Sequence, residues 1–155
     1  MNLVTNNKWI GQRTIRPDGM DKVTGRAQFA ADTTMPGMIW GKVLRSPHPH
    51  ARIKSIDTSK AEALPGVKAV VTARDVVDFP IDKSVMLGIQ DMRWMCRNVM
   101  AREKALFPGH PVAAVAAVSE EIAAKACELI EVDYEVLPWS IEIDDALKPG
   151  APILH

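Results

Sequence analysis

The sequence predicts an α+β fold: a mixed sheet of short strands with few helices. Two observations carry this. The stretch Trp40–Val71 reads as strand, turn, strand, short helix, turn and strand in close succession. One clear amphipathic helix, Ser119–Ile130, then stands between two strand-like runs, Val112–Val118 and Glu131–Val136. No repeat, low-complexity tract or linker divides the chain, so residues 1–155 are expected to form a single domain, with residues 1–16 as an extended lead.

Taken in order, the lead is polar, with Trp9 and Ile10 as candidate anchors. Arg16-Pro17-Asp18-Gly19 carries proline and glycine where a β-turn prefers them. A turn-rich patch follows at Asp21–Gly25, then a short strand at Ala27–Ala30. Met35-Pro36-Gly37-Met38 turns the chain into a strand over Ile39–Arg45. Ser46-Pro47-His48-Pro49-His50 removes two N–H donors and fixes two φ angles, so neither ladder nor helix passes through it.

Ala51–Asp57 resumes as a strand with imperfect alternation: Ala51, Ile53 and Ser55 on one face, Arg52, Lys54 and Ile56 on the other. Ser59 and Glu62 have capping-box spacing, and Pro65-Gly66 ends that short helix. Val67–Val71 is a β-branched strand. Thr72 and Asp75 repeat the capping-box spacing, which predicts a brief helical turn over Ala73–Val76.

Residues 78–104 lack clean periodicity. Their mixture of methionine, tryptophan and arginine suits a long surface loop, wrapping a neighbour or covering this chain's own core. Phe107-Pro108-Gly109-His110-Pro111 is a rigid turn. The alanines of Val112–Val118 favour helix by propensity. Prolines before the run and a helix N-cap at Ser119 after it favour a buried strand instead. Ser119 caps the helix and Glu120-Glu121 complement its dipole. Ile122, Ala126, Leu129 and Ile130 form its apolar stripe, with Cys127 in the core. Val132, Tyr134 and Val136 alternate with acidic residues in a half-buried strand stopped by Leu137-Pro138. Asp144–Leu147 adds a last helical turn.

Composition narrows the function. Apolar residues make up 47% and charged residues 25%, with 19 basic and 19 acidic side chains. That balance calls for neither nucleic acid nor an anionic membrane as partner. No apolar run approaches the roughly 18 residues of a spanning helix, and MNLVTNNKWIGQR shows no signal-peptide core. A cytoplasmic protein is the expectation.

Candidate sites are sparse. The two cysteines, Cys96 and Cys127, form no C-x-x-C and are too few to hold an iron–sulfur cluster alone. His48 and His50 straddle Pro49 and read as structural turn residues, since a metal would need a further ligand. Glu120-Glu121 and Asp144-Asp145 sit where helix starts want negative charge. Arg93, Arg97 and Arg102 form either solvated surface or a basic face for a partner or a cofactor pyrophosphate. Nucleotide-binding glycine loops, a nucleophile elbow and His-Glu-x-x-His are all absent. The large side chains around Ser84–Arg102 and the turn at Phe107–Pro111 have the composition of an interface: Trp94, Arg97, Phe107, Gly109 and His110 are the candidate partner-contact residues.

VLRSPHPHARIKSIDTSKAEALPGVKAVVTARDV, from Val43 to Val76, resembles the amino-terminal α/β hammerhead domain of the xanthine dehydrogenase and aldehyde oxidase family of molybdenum hydroxylases. Val23-Thr24-Gly25-Arg26-Ala27 upstream, and Gly109–Ala117 and Glu131–Pro138 downstream, resemble further segments of that family in the same order. The resemblance implies a hammerhead fold and a part in an oxidoreductase that inserts oxygen from water into a C–H bond. It implies molybdopterin, [2Fe–2S] clusters and usually FAD in the assembled enzyme, but no catalytic, cofactor or metal residue in this chain. In the family, the molybdopterin and the catalytic glutamate are held by domains carboxyl-terminal to the hammerhead, and this chain stops at Pro152–His155, near where they would begin. The implied partners are therefore a molybdopterin-binding chain or C-terminal domains, an iron–sulfur subunit and a flavin subunit. Whether the chain is a separate subunit or a piece of a longer polypeptide stays open. The family also implies that the Gly109-His110 turn faces the body of the large subunit. The alternative is a free-standing interaction or ligand-binding module of the same fold, without redox activity.

Overall fold

The computed structural model describes Gly11 and residues 13–78, 86–87 and 90–154, and the chain falls into two units, Met1–Pro36 and Gly37–His155. Trp9, Ile10 and His155 lie outside the described residues. In the first unit the expected turn forms, with the Gly19 N–H donating to the Arg16 carbonyl at 3.0 Å. It leads into α1 (Gly19–Val23), so the turn-rich patch at Asp21–Gly25 is the body and exit of a short helix. Lys22 chiefly, then Arg16, holds the Asp18 carboxyl below its ordinary value. The strand expected over Ala27–Ala30 does not form. Asp32 captures the Phe29 N–H at 2.9 Å and winds Ala30–Asp32 into a 3₁₀ turn.

The second unit contains β1 (Trp40–Arg45), β2 (Ala51–Asp57), α2 (Ser59–Glu62), β3 (Val67–Thr72), β4 (Met86–Leu87), β5 (Gln90–Asp91), α3 (Met92–Asn98), β6 (Lys104–Ala105), β7 (Pro111–Ala117), α4 (Glu120–Leu129), β8 (Glu131–Val136) and α5 (Ile143–Ala146). In place of one mixed sheet there are two three-stranded sheets, ordered β1-β7-β3 and β6-β2-β8, besides the β4–β5 hairpin. Every pairing is antiparallel. β1 and β3 point the same way, but β7 is inserted between them and no parallel ladder arises.

β7 confirms the strand reading of its alanine-rich run and is covered on both faces. Val112 joins Ala101 and Ala105 in one cluster, while Ala113 and Val115 join Ala126, Cys127 and Ile130 of the α4 segment in another. Alternating positions thus serve different cores. Val67 and Val70 of β3 pack on the α4 cluster, as expected of a shared core. Ser119 caps α4 by accepting the Ile122 N–H at 3.3 Å. Gly66, at φ +97°, lies under α4: a Cβ there would stand 2.9 Å from Ile122 Cδ1.

Three local readings are corrected. The imperfect alternation of β2 is a register shift between Ile53 and Ser55, which turns both Ile53 and Ile56 toward the core. The Ser59–Glu62 capping box is replaced by flanking groups: Asp57 accepts the Ser59 N–H at 2.9 Å and Thr58 donates to Glu62 at 2.6 Å. Thr72 and Asp75 do bond, the Thr72 N–H reaching the Asp75 carboxylate at 2.8 Å, but they close a turn and no helix follows. Of residues 78–104, expected as a long loop, the described ones include α3 and the paired strands β4 and β5.

Candidate functional site

The Phe107–Pro111 turn is built as the sequence demands. Pro108 and Gly109 occupy its centre, Gly109 at φ +85°, and the His110 N–H closes it on the Phe107 carbonyl at 3.1 Å. It is stitched to the end of β1. Gly109 N–H donates to the Ser46 carbonyl at 2.8 Å, Ser46 N–H to the His110 carbonyl at 2.9 Å, and Arg45 to the Gly109 carbonyl at 2.8 Å. Both backbone groups of Gly109 are therefore spent inside the chain.

His110 has none of its side chain exposed. Its Nδ1 accepts the Leu106 N–H at 3.2 Å, which leaves Nε2–H to donate to the Asn98 carbonyl at 2.9 Å. The ring, expected at an interface, instead ties the end of α3 to the turn from within. Phe107, Trp94 and Arg97 lie outside it. Phe107 is 48% and Trp94 52% exposed. Arg97 pairs with Glu103 at 3.1 Å and Asp78 at 3.5 Å. Trp94 and Arg97 line a cleft of about 360 Å³ with Asn98, Arg102 and Leu106, and Phe107 adjoins this wall in sequence. Met95 and Val99 are exposed on the same helix and its exit. The structure thus groups Trp94 with Arg97 and places His110 beneath the turn that carries Phe107.

The other candidates have structural surroundings. His48 packs edge-on against Tyr134, ring centroids 5.1 Å apart, and its N–H donates to the Ser46 hydroxyl at 3.1 Å. Burial raises the Tyr134 phenol above its ordinary value, with a smaller opposing contribution from Ser46. His50 is buried and its Nδ1–H donates to the Pro138 carbonyl at 2.8 Å. Arg102 donates to the Val76 carbonyl at 2.8 Å, so with Arg97 it is occupied by neighbours in this chain. The acidic pairs do sit in the first turns of α4 and α5. What sequence reasoning missed is Ser46, whose backbone pins the turn; its place before Pro47 gave no such signal.

Among the described residues, no three His, Cys, Asp or Glu side chains gather as a metal-ligand set. Cys127 is buried and Cys96 half-buried. Burial pushes the Cys127 thiol up, chiefly against the opposing Lys42 charge. Two cysteines fall short of the four thiolates that hold an iron–sulfur cluster. Among the described residues no helix is long and apolar enough to cross a membrane.

The comparisons agree with this geometry. The family model described as aldehyde oxidase and xanthine dehydrogenase, a/b hammerhead domain, matches residues 24–138. A probable xanthine dehydrogenase subunit from Bacillus subtilis (strain 168) is 44% identical over 91% of this chain and 18% of its own length. The carbon monoxide dehydrogenase large chain of Afipia carboxidovorans is 43% identical over 94% of this chain and 17% of its own. A solved structure of reconstituted CO dehydrogenase from Oligotropha carboxidovorans superposes with a TM-score of 0.75 at 42% identity, over 92% of this chain and 17% of that one. Aldehyde oxidoreductase from Desulfovibrio gigas superposes with a TM-score of 0.74 at 33% identity, over 90% of this chain and 16% of that one. The chain thus spans under a fifth of the length of each of these four relatives. By fold, by sequence and by the order of its segments, it belongs to the hammerhead family of the aldehyde oxidases and xanthine dehydrogenases.

Proposed function

We propose that this chain is the hammerhead part of the large, molybdopterin-binding component of a molybdenum hydroxylase, supporting the catalytic domains without housing the reaction. The observation that carries the reading is the superposition at TM-score 0.75 and 42% identity on 17% of a much longer CO dehydrogenase chain. Its partners are a molybdopterin-binding chain or C-terminal domains and an iron–sulfur subunit, with a flavin subunit where FAD takes the electrons. Molybdenum and [2Fe–2S] clusters belong to those partners, and the complex works in the cytoplasm. The partner contact is the surface of α3 and the Phe107 turn. Trp94 and Phe107 are its anchors, with Arg97 at the rim and Gly109 and His110 setting the turn's shape.

Native purification with chain identification and metal analysis tests this. The expected result is a complex containing this sequence together with stoichiometric molybdenum and iron, while the isolated 155-residue chain has neither and shows no flavin absorption. A native monomer free of molybdenum, or an isolated chain that binds it stoichiometrically, would overturn the proposal.

A further inference from the structure

The face of the β6-β2-β8 sheet turned away from the core carries a buried acceptor that lacks a donor. His50 is 5% exposed and its Nδ1–H is committed to the Pro138 carbonyl. In the neutral ring this leaves Nε2 as a lone-pair acceptor. Nε2 is buried and meets no hydrogen-bond partner among the described residues. His50 lines a cleft of about 530 Å³ together with Arg52, Lys104, Pro138, Gly150 and Ile153. Strand geometry explains the grouping: His50 and Arg52 are two positions apart, and Lys104 lies directly across the ladder from Arg52.

The cleft's hydrogen-bonding groups point to a ligand of one kind. Lys104 Nζ donates to the Leu154 carbonyl at 2.8 Å and keeps two further donors. Two carboxylates share the region: Glu103, which also lines the cleft and pairs with Arg97 at 3.1 Å, and Glu135, which pairs with Arg52 at 3.3 Å. An occupant that gives one proton to His50 Nε2, and accepts from Lys104 and from the guanidinium N–H groups Arg52 does not spend on Glu135, satisfies these groups.

We propose that this cleft binds inorganic phosphate. Inorganic phosphate carries an O–H and charged oxygens together at neutral pH. The O–H donates to His50 Nε2, and the oxygens accept from Lys104 and Arg52. Sulfate has the same shape and charge but no proton to give. Nε2 is closed to solvent, so phosphate reaches it only as the cleft wall shifts.

Calorimetric titration of the full chain with inorganic phosphate and sulfate at fixed ionic strength tests this, with the His50 ring nitrogens followed by NMR. Saturable phosphate binding is expected to move the Nε2 resonance, with sulfate about tenfold weaker, the worth of one hydrogen bond. His50→Asn keeps the donor to Pro138 but removes the acceptor, so it should reduce phosphate affinity to that of sulfate. Lys104→Met should weaken both anions. No saturable phosphate binding, equal affinity for sulfate, or unchanged binding in a folded His50→Asn chain would overturn the proposal.

Discussion

The ring of His110 lies flat against that of Phe107, centroids 4.4 Å apart and planes 18° from parallel. One ring is wholly buried and the other half-exposed, so the pair runs from the core to the surface. The orientation of Phe107 is therefore set by hydrogen bonds it does not itself make, those from Leu106 and to Asn98.

His110→Ala should destabilise the chain by about 3 kcal/mol, because it leaves the Leu106 N–H and the Asn98 carbonyl unpaired and opens a cavity. Urea denaturation measures this. A loss below about 1 kcal/mol would show that water or a neighbour replaces the ring without cost.

Gly66→Ala should cost about 1–3 kcal/mol, since φ +97° is strained for alanine and the new Cβ meets Ile122 and Val118 at 2.9 and 3.0 Å. Pairing it with Ile122→Val should recover part of the loss in thermal unfolding. Purely additive effects would place the cost in the backbone alone.

Glu121 gives a pH signature. Its own backbone N–H first, then the Ser119 hydroxyl, holds its carboxyl below the ordinary 4.5. A lowered carboxyl adds stability above its unfolded value, and that stability is lost as pH falls through the folded value. Glu121→Gln should therefore be less stable than the parent at pH 7, and the gap should close on acidification below 4.5. A gap independent of pH would remove the carboxylate from the cap.

Thiol labelling should separate the two cysteines. Cys96 is half-buried, whereas Cys127 is buried in the α4 core with its thiol pushed up by desolvation. At pH 8 an alkylating reagent should modify Cys96 in the folded chain and Cys127 only as the chain unfolds, as peptide mapping would show.

Trp94→Ala should weaken association with the molybdopterin-binding partner by about 1–2 kcal/mol while leaving the chain's own melting point nearly unchanged, since the side chain is 52% exposed. If Trp94→Ala with Phe107→Ala leaves co-purification and affinity intact, the contact lies elsewhere.

Strands and the α4 cap were legible because their signals are local: prolines bound β7, Ser119 precedes two glutamates, and Val132 and Tyr134 alternate with acids. Where two local solutions competed, sequence spacing misled. Asp57 and Thr58 took the roles assigned to Ser59, and Asp32 diverted an expected strand into a 3₁₀ turn. α3 went unread because it is only seven residues long, although Met92, Met95, Cys96 and Val99 recur in the sequence at the spacing of an apolar helical stripe. Among the candidate contacts, Trp94 and Phe107 are as exposed as their composition suggested. His110 could not be placed from sequence, since its partners Leu106 and Asn98 meet it only after the chain has folded back.

β1 and β2 are consecutive in the chain yet lie in different sheets, and so do β7 and β8. Each sheet therefore needs a strand from the second half of the sequence before it can close. During synthesis, Trp40–Thr72 must leave the ribosome and wait with open ladder edges until Pro111–Val136 has followed. Loop closure over that separation slows folding into the range of roughly milliseconds to seconds. Both sheets should then form and melt together, and the waiting first half is the species most exposed to edge-to-edge aggregation.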